Sequence, residues 1–88
     1  MEIWKFPVPL SGKCIIEMPI DAEILSFQSQ NDVLMLWAAV WPNSSHEERK
    51  FSIVGTGQNI DMDLVKKFIG TAQLMNGRFV WHLFEMKK

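Results

Sequence analysis

The sequence predicts an all-β domain, a compact antiparallel sandwich or barrel-like fold of six to seven short strands with at most one short helix. Turn-forming residues recur roughly every eight to twelve positions: Pro7 and Pro9, Ser11-Gly12, Pro19, Asn31-Asp32, Pro42-Asn43, Gly55 and Gly57, Gly70, and Asn76-Gly77. The segments between them are rich in β-branched and aromatic residues with partial period-two alternation. With 88 residues, 48% hydrophobic content and a net charge of -1, the chain has enough apolar side chain to fold as a single small domain over residues 1–88.

Seven segments read as strands in order: IWKF, KCIIEM, AEILSFQSQ, VLMLWAAVW, ERKFSIVG, KFIGTAQLM and GRFVWHLFEM. In KFSIV the alternation sends Phe51 and Ile53 inward and leaves Lys50 and Ser52 outside, as in a sheet with one wet face. VLMLWAAVW and RFVWHLF are apolar at both parities, so both of their faces need cover. They are therefore expected as central strands, with a second layer or another subunit over the remaining face, and a homo-oligomer follows as an expectation. Asn76-Gly77 predicts a tight hairpin into the last strand, because both residues tolerate the positive φ of a type I′ turn. DMDLVKKF, residues 61 to 68, allows one short helix capped by Asp61. The polar stretch NSSHEERK admits either a helical turn starting at Ser45, with Glu48 completing a capping box, or a solvated loop.

Several classes of function are set aside by composition. Nine basic against ten acidic residues, with only Arg49 and Arg78 as arginines, do not suit a protein that tracks a long nucleic acid. The longest apolar run, Val33 to Trp41, is far shorter than the roughly 20 residues of a membrane helix. MEIWKFPVPL lacks the basic and apolar regions of a secretion signal, and the one cysteine, Cys14, reads as a buried inert thiol. A cytoplasmic location is the expectation, with no membrane partner.

Chemistry is sparse. IVGTGQNI, residues 53 to 60, and FIGTAQL, residues 68 to 74, repeat an aliphatic residue followed by Gly-Thr. Ile60 stands where a dinucleotide fingerprint needs a third glycine, and neither copy ends in the Gly-Lys-Ser/Thr of a phosphate loop. The repeat reads as a strand ending at a glycine, followed by a threonine whose hydroxyl returns to a nearby amide. A Gly-rich turn can still present amides to an anion. His46 and His82 have no paired ligand spacing and no orienting third group, so neither a metal, a cofactor nor an enzymatic triad is expected. Among Trp4, Trp37, Trp41 and Trp81, Trp37 and Trp41 share one strand face with Met35 and Ala39, which suits core, subunit interface or a shelf for a planar ligand. Arg78, directly after the hairpin turn, could fork a phosphate or simply guard the hairpin end, and it lies roughly 13 Å from His82 along the strand. The candidate ligand-binding set is thus Trp37, Gly55, Thr56, Gly57, Gln58, Thr71, Arg78 and His82.

Taken together, IIEMPIDAEILSFQSQ, LWAAVWPN, EERKFSIVGTGQNI, FIGTAQL and FVWHLFE resemble a family of small proteins encoded by tailed phages and prophages. The resemblance covers almost the whole chain. It is carried by Glu17, Met18, Pro19, Ala22 to Leu25, Leu36 to Ala38, Pro42, Gly55 to Gly57, Gly70, Thr71 and His82 to Glu85. Trp41 stands where the family pattern has an acidic residue, and Gln58 where it has histidine. The resemblance implies a phage setting, acting in the host cytoplasm, and no established activity. By analogy with other small phage proteins, it suggests a counter-defence factor that sequesters a nucleotide-like or anionic ligand, or a protein-binding module that blocks a host protein, or a minor structural or regulatory component.

Overall fold

The computed structural model describes residues 1–88 as seven strands. They are β1 (Glu2–Pro7), β2 (Lys13–Pro19), β3 (Glu23–Gln30), β4 (Val33–Val40), β5 (His46–Gly55), β6 (Val65–Leu74) and β7 (Phe79–Met86). All pairings are antiparallel, in a three-stranded sheet of order β1-β4-β3 and a four-stranded sheet of order β2-β5-β7-β6. The two sheets form a sandwich that does not close into a barrel, and the molecule measures 39 × 32 × 17 Å.

Period-two alternation places the core between the sheets. Leu34, Leu36, Ala38 and Val40 of β4 face Ile16 and Met18 of β2, Phe51 and Ile53 of β5, Ala72 and Leu74 of β6, and Leu83 of β7, and all are buried in one cluster. Gly70 in β6 lies inside a strand with no positive φ. A Cβ there would meet the Cβ of Phe27 in β3 at 3.6 Å, an ordinary van der Waals contact across the edges of the two sheets.

The turns follow their residues. Asn31 and Asp32 form a two-residue link between β3 and β4 with φ of 51° and 60°. Asn76 and Gly77 also have positive φ, and Arg78 N–H donates to Met75 C=O at 3.2 Å, as the type I′ expectation requires. The β6–β7 ladder ends at Leu74 and Phe79, so Met75 and Arg78 lengthen the turn, and Asp32 accepts from Met75 N–H at 3.0 Å.

Four expectations are corrected. Residues 61 to 68 do not form a helix. Asp61 caps as expected, accepting from Asp63 N–H at 3.0 Å, but only the 3₁₀ turn Met62–Leu64 follows before β6 begins at Val65. The pairing of Val65, Lys67 and Phe68 with β7 wins over two turns of helix. The polar stretch from His46 is neither loop nor helix, because β5 begins at His46, two residues before the expected ERKFSIVG strand, and pairs Glu47 with Met18 and Arg49 with Ile16. Ser52 is buried on the outer face, where its ladder partners are Lys13 and Phe84. Cys14 is half-buried, and burial pushes its thiol above the usual range, which agrees with low reactivity.

The one buried ion pair lies within the four-stranded sheet, and its arginine also reaches across to the chain beside β3. Arg49 of β5 donates from Nε and Nη2 to the Glu85 carboxylate of β7, both at 2.8 Å, and from Nη1 to the Ala22 carbonyl beside β3 at 2.6 Å. The side chains are only 13% and 6% exposed. The Glu85 hydrogen bond raises the Arg49 guanidinium further. Burial by itself would raise the Glu85 carboxyl, but the hydrogen bonds and charge of Arg49, with Lys66 and Lys67 adding, bring it below its ordinary value.

Glu85→Gln leaves Arg49 with a buried, unmatched charge and is expected to cost about 3 kcal/mol in denaturant unfolding. Because the Glu85 carboxyl is lowered on folding, the pair's contribution is intact above the unfolded carboxyl value of about 4.3. It is lost as pH falls through the lower folded value. Urea melts should show a stability drop below about pH 4 that is blunted in the variant. An equal acid loss in both proteins would contradict this role of the pair.

Candidate functional site

Strand alternation divides β7 between two environments: Trp81, Leu83 and Glu85 point into the sandwich, while Val80, His82, Phe84 and Met86 point out from the four-stranded sheet. The register sets His82 opposite Val54 on one side and Thr71 on the other. Thr71 Oγ1 lies 2.9 Å from His82 Nδ1, and Thr56 Oγ1 lies 2.8 Å from His82 Nε2. The two threonines are those of the repeated Gly-Thr units. The hydroxyls do not return to nearby amides; both copies converge on one imidazole.

This arrangement has a definite donor pattern. A neutral imidazole carries one N–H and one bare nitrogen. One threonine therefore commits its proton to the ring and presents lone pairs to solvent, while the other accepts from the ring N–H and keeps its own proton free to donate. The cluster offers an acceptor and a donor on opposite sides of the ring, and a change of tautomer exchanges them.

Beside it on the same outer face lie Phe84 and Phe68, with ring centroids 5.2 Å apart and planes tilted by 55°. Phe68 is 52% exposed. Phe68 and Thr71 are three residues apart and would occupy opposite faces of a regular strand. A bulge between Phe68 and Gly70 restores both to the outer face, opposite Phe84 and His82. Sequence reasoning missed the aromatic pair for that reason.

The remaining candidates are placed elsewhere or otherwise engaged. Gly55 N–H donates to Gln58 Oε1 at 2.6 Å, Gln58 N–H to Gly55 C=O at 3.0 Å, and Thr56 N–H to Val80 C=O at 3.4 Å. The Gly55-Thr56-Gly57-Gln58 turn, with Gly57 at φ +92°, thus spends most of its amides internally and supports the position of Thr56. Arg78 sits in the exposed hairpin turn beside Asp32, without an ion-pair or hydrogen-bond partner for its side chain, and does not reach His82. Trp37 is on the outer face of the three-stranded sheet, opposite Lys5 and Ser26, so the whole sandwich separates it from the cluster. Trp41 lies just beyond β4 and is 47% exposed. The Trp81 indole packs over Gly55, and its buried Nε1–H has no hydrogen-bond partner in the protein.

The geometry lacks the parts of a hydrolytic triad. A neutral hydroxyl, Thr71, occupies the ring nitrogen where a Ser-His-Asp triad has its carboxylate. No group of three His, Cys, Asp or Glu side chains is placed to hold a metal ion. No helix is long and apolar enough to cross a membrane.

The family model for a domain of unknown function, DUF7352, matches residues 1–88. The chain belongs to this DUF7352 family. No curated protein and no solved structure matches it. Because the match runs from end to end, every residue of the Thr56–His82–Thr71 cluster lies within the DUF7352 domain.

Thr71→Val and Thr56→Val each strip one ring nitrogen of its partner. Each is expected to move the His82 ring ¹⁵N resonances and to cost about 1 kcal/mol in stability. Unchanged ring resonances in either variant would show that the hydroxyl does not engage the imidazole in solution.

Proposed function

We propose that this DUF7352 protein is a non-enzymatic binding protein for a small nucleotide-like ligand, taken on the outer face of its four-stranded sheet. The observation that carries the proposal is the convergence of Thr56 and Thr71 on the two nitrogens of His82. The hydroxyls that flank His82 suit polar groups of such a ligand, and the half-exposed Phe68 beside Phe84 suits the face of a heterocyclic base. The neutral occupant of His82 Nδ1 favours binding over turnover. The resemblance to small proteins of tailed phages and prophages gives such binding a biological sense, the sequestration of a nucleotide signal during counter-defence in the host cytoplasm.

A second reading, association with another copy or with a host protein, draws on a different surface. Around Trp37 and Met35 on the three-stranded sheet, Ile3, Leu25 and Val33 are each about half exposed, and nothing in the chain covers them.

A thermal-shift series with cyclic and linear nucleotides tests the first reading. A binder at a hundredfold excess over its dissociation constant stabilises by about 2.7 kcal/mol. For a domain of this size that is a rise of roughly 10 °C or more in melting temperature. His82→Ala should remove the rise. A flat response to every nucleotide, or an undiminished response in the variant, would reject the site. Light scattering tests the second: a homo-oligomer is expected at micromolar concentration and Trp37→Glu should dissociate it without unfolding, whereas a single 10.2 kDa species would reject self-association.

A further inference from the structure

Two steps along the same outer face from His82, a groove of about 620 Å³ crosses the four-stranded sheet. Its floor is apolar. Ile15 of β2 pairs with Lys50 of β5, and Met86 at the end of β7 pairs with Val65 of β6, so these side chains form one row across the strands. Leu64 closes one end, held by a hydrogen bond from Lys87 N–H to Leu64 C=O at 2.8 Å.

The rim is cationic without exception. Lys13, Lys50, Lys87 and Lys88 line the groove, and no carboxylate does. That is four of the chain's nine basic residues around one opening, in a protein of net charge -1. Lys88 is the only one of the four in an ion pair, a loose contact of 3.6 Å to Glu47. Local charge is therefore concentrated where the molecule as a whole is balanced, which favours a compact anion over a long polyanion.

We infer that this groove receives the phosphates of the ligand whose base lies at Phe68, Phe84 and His82; the inference rests on the binding reading proposed above. The rows are ordered along β7. Met86 marks the lysine groove, Phe84 the aromatic pair and His82 the hydroxyl cluster, each two residues from the next. Met86 and His82 are thus roughly 13 Å apart. An anionic end, a planar middle and a polar edge in that order match a nucleoside di- or triphosphate or a dinucleotide. A nucleoside or a free phosphate would occupy only part of the face. The groove also assigns the anion-binding role to lysines, point charges that take phosphate in several geometries, in place of the Gly-rich turn whose amides are engaged and of the remote Arg78.

Isothermal titration with ATP, adenosine and inorganic tripolyphosphate separates the parts. Lys13 and Lys50 are exposed, so Lys13→Ala/Lys50→Ala should melt like the natural chain. ATP is expected to bind the natural chain and to weaken about tenfold or more in the double variant, the loss of at least one charge-assisted hydrogen bond. Its affinity should also fall with added salt. Tripolyphosphate should bind more weakly and lose its binding in the same variant but not in His82→Ala. Adenosine should respond to His82→Ala and ignore the lysines. ATP binding that depends on His82 but is unchanged in the lysine variant would overturn the groove and leave the binding reading standing. Tripolyphosphate binding that needs the lysines, with no adenosine effect at His82, would keep the groove and reject the base site. Absence of binding by all three probes overturns both.

Discussion

The burial of Leu83 on one face of β7 forces His82 and Phe84 onto the other. That period-two constraint runs through the whole four-stranded sheet. Because β7 lies between β5 and β6, its parity fixes which residues of both neighbours share its outer face. The inward set of Phe51, Ile53, Leu83 and Ala72 and the outer row of Val54, His82 and Thr71 are two consequences of one register. A slip of one residue would bury the imidazole and expose the leucine, so the apolar core enforces the polar cluster.

The bulge in β6 modifies this rule beside the Thr56–His82–Thr71 cluster. An extra residue, Ile69, lets Phe68 share a face with Thr71 while Gly70 faces inward beneath Phe27. The sheet edge thereby gains a close contact with the second sheet and, on its other side, an aromatic surface next to the hydroxyl cluster. Packing and site share the same irregularity.

The two outer faces differ in chemical character. The three-stranded sheet presents Trp37 among half-exposed aliphatic side chains, a surface suited to protein contact. The four-stranded sheet presents a graded face, lysines at one end, aromatic rings in the middle and hydroxyls with an imidazole beyond. Between the sheets, Arg49 donates twice to the Glu85 carboxylate and once to the Ala22 carbonyl, so this buried charge is committed to stability.

Local patterns by themselves determined the seven strands, the Asn76-Gly77 turn and the inward set of Phe51 and Ile53, because side-chain alternation and turn chemistry act over a few residues. They also singled out Gly-Thr as a repeated unit and His82 as a lone histidine among apolar neighbours. They misjudged His46, Glu47 and residues 61 to 68, where polar, cap-like sequence has the local character of loop or helix and ladder pairing overrides it. Only the tertiary structure decided that Thr56 and Thr71, fifteen residues apart, close on opposite sides of one imidazole, and that Trp37 lies across the sandwich from them. The physical reason is that strand order and bulges are set by burial of the whole core between two sheets. No window of sequence contains that quantity.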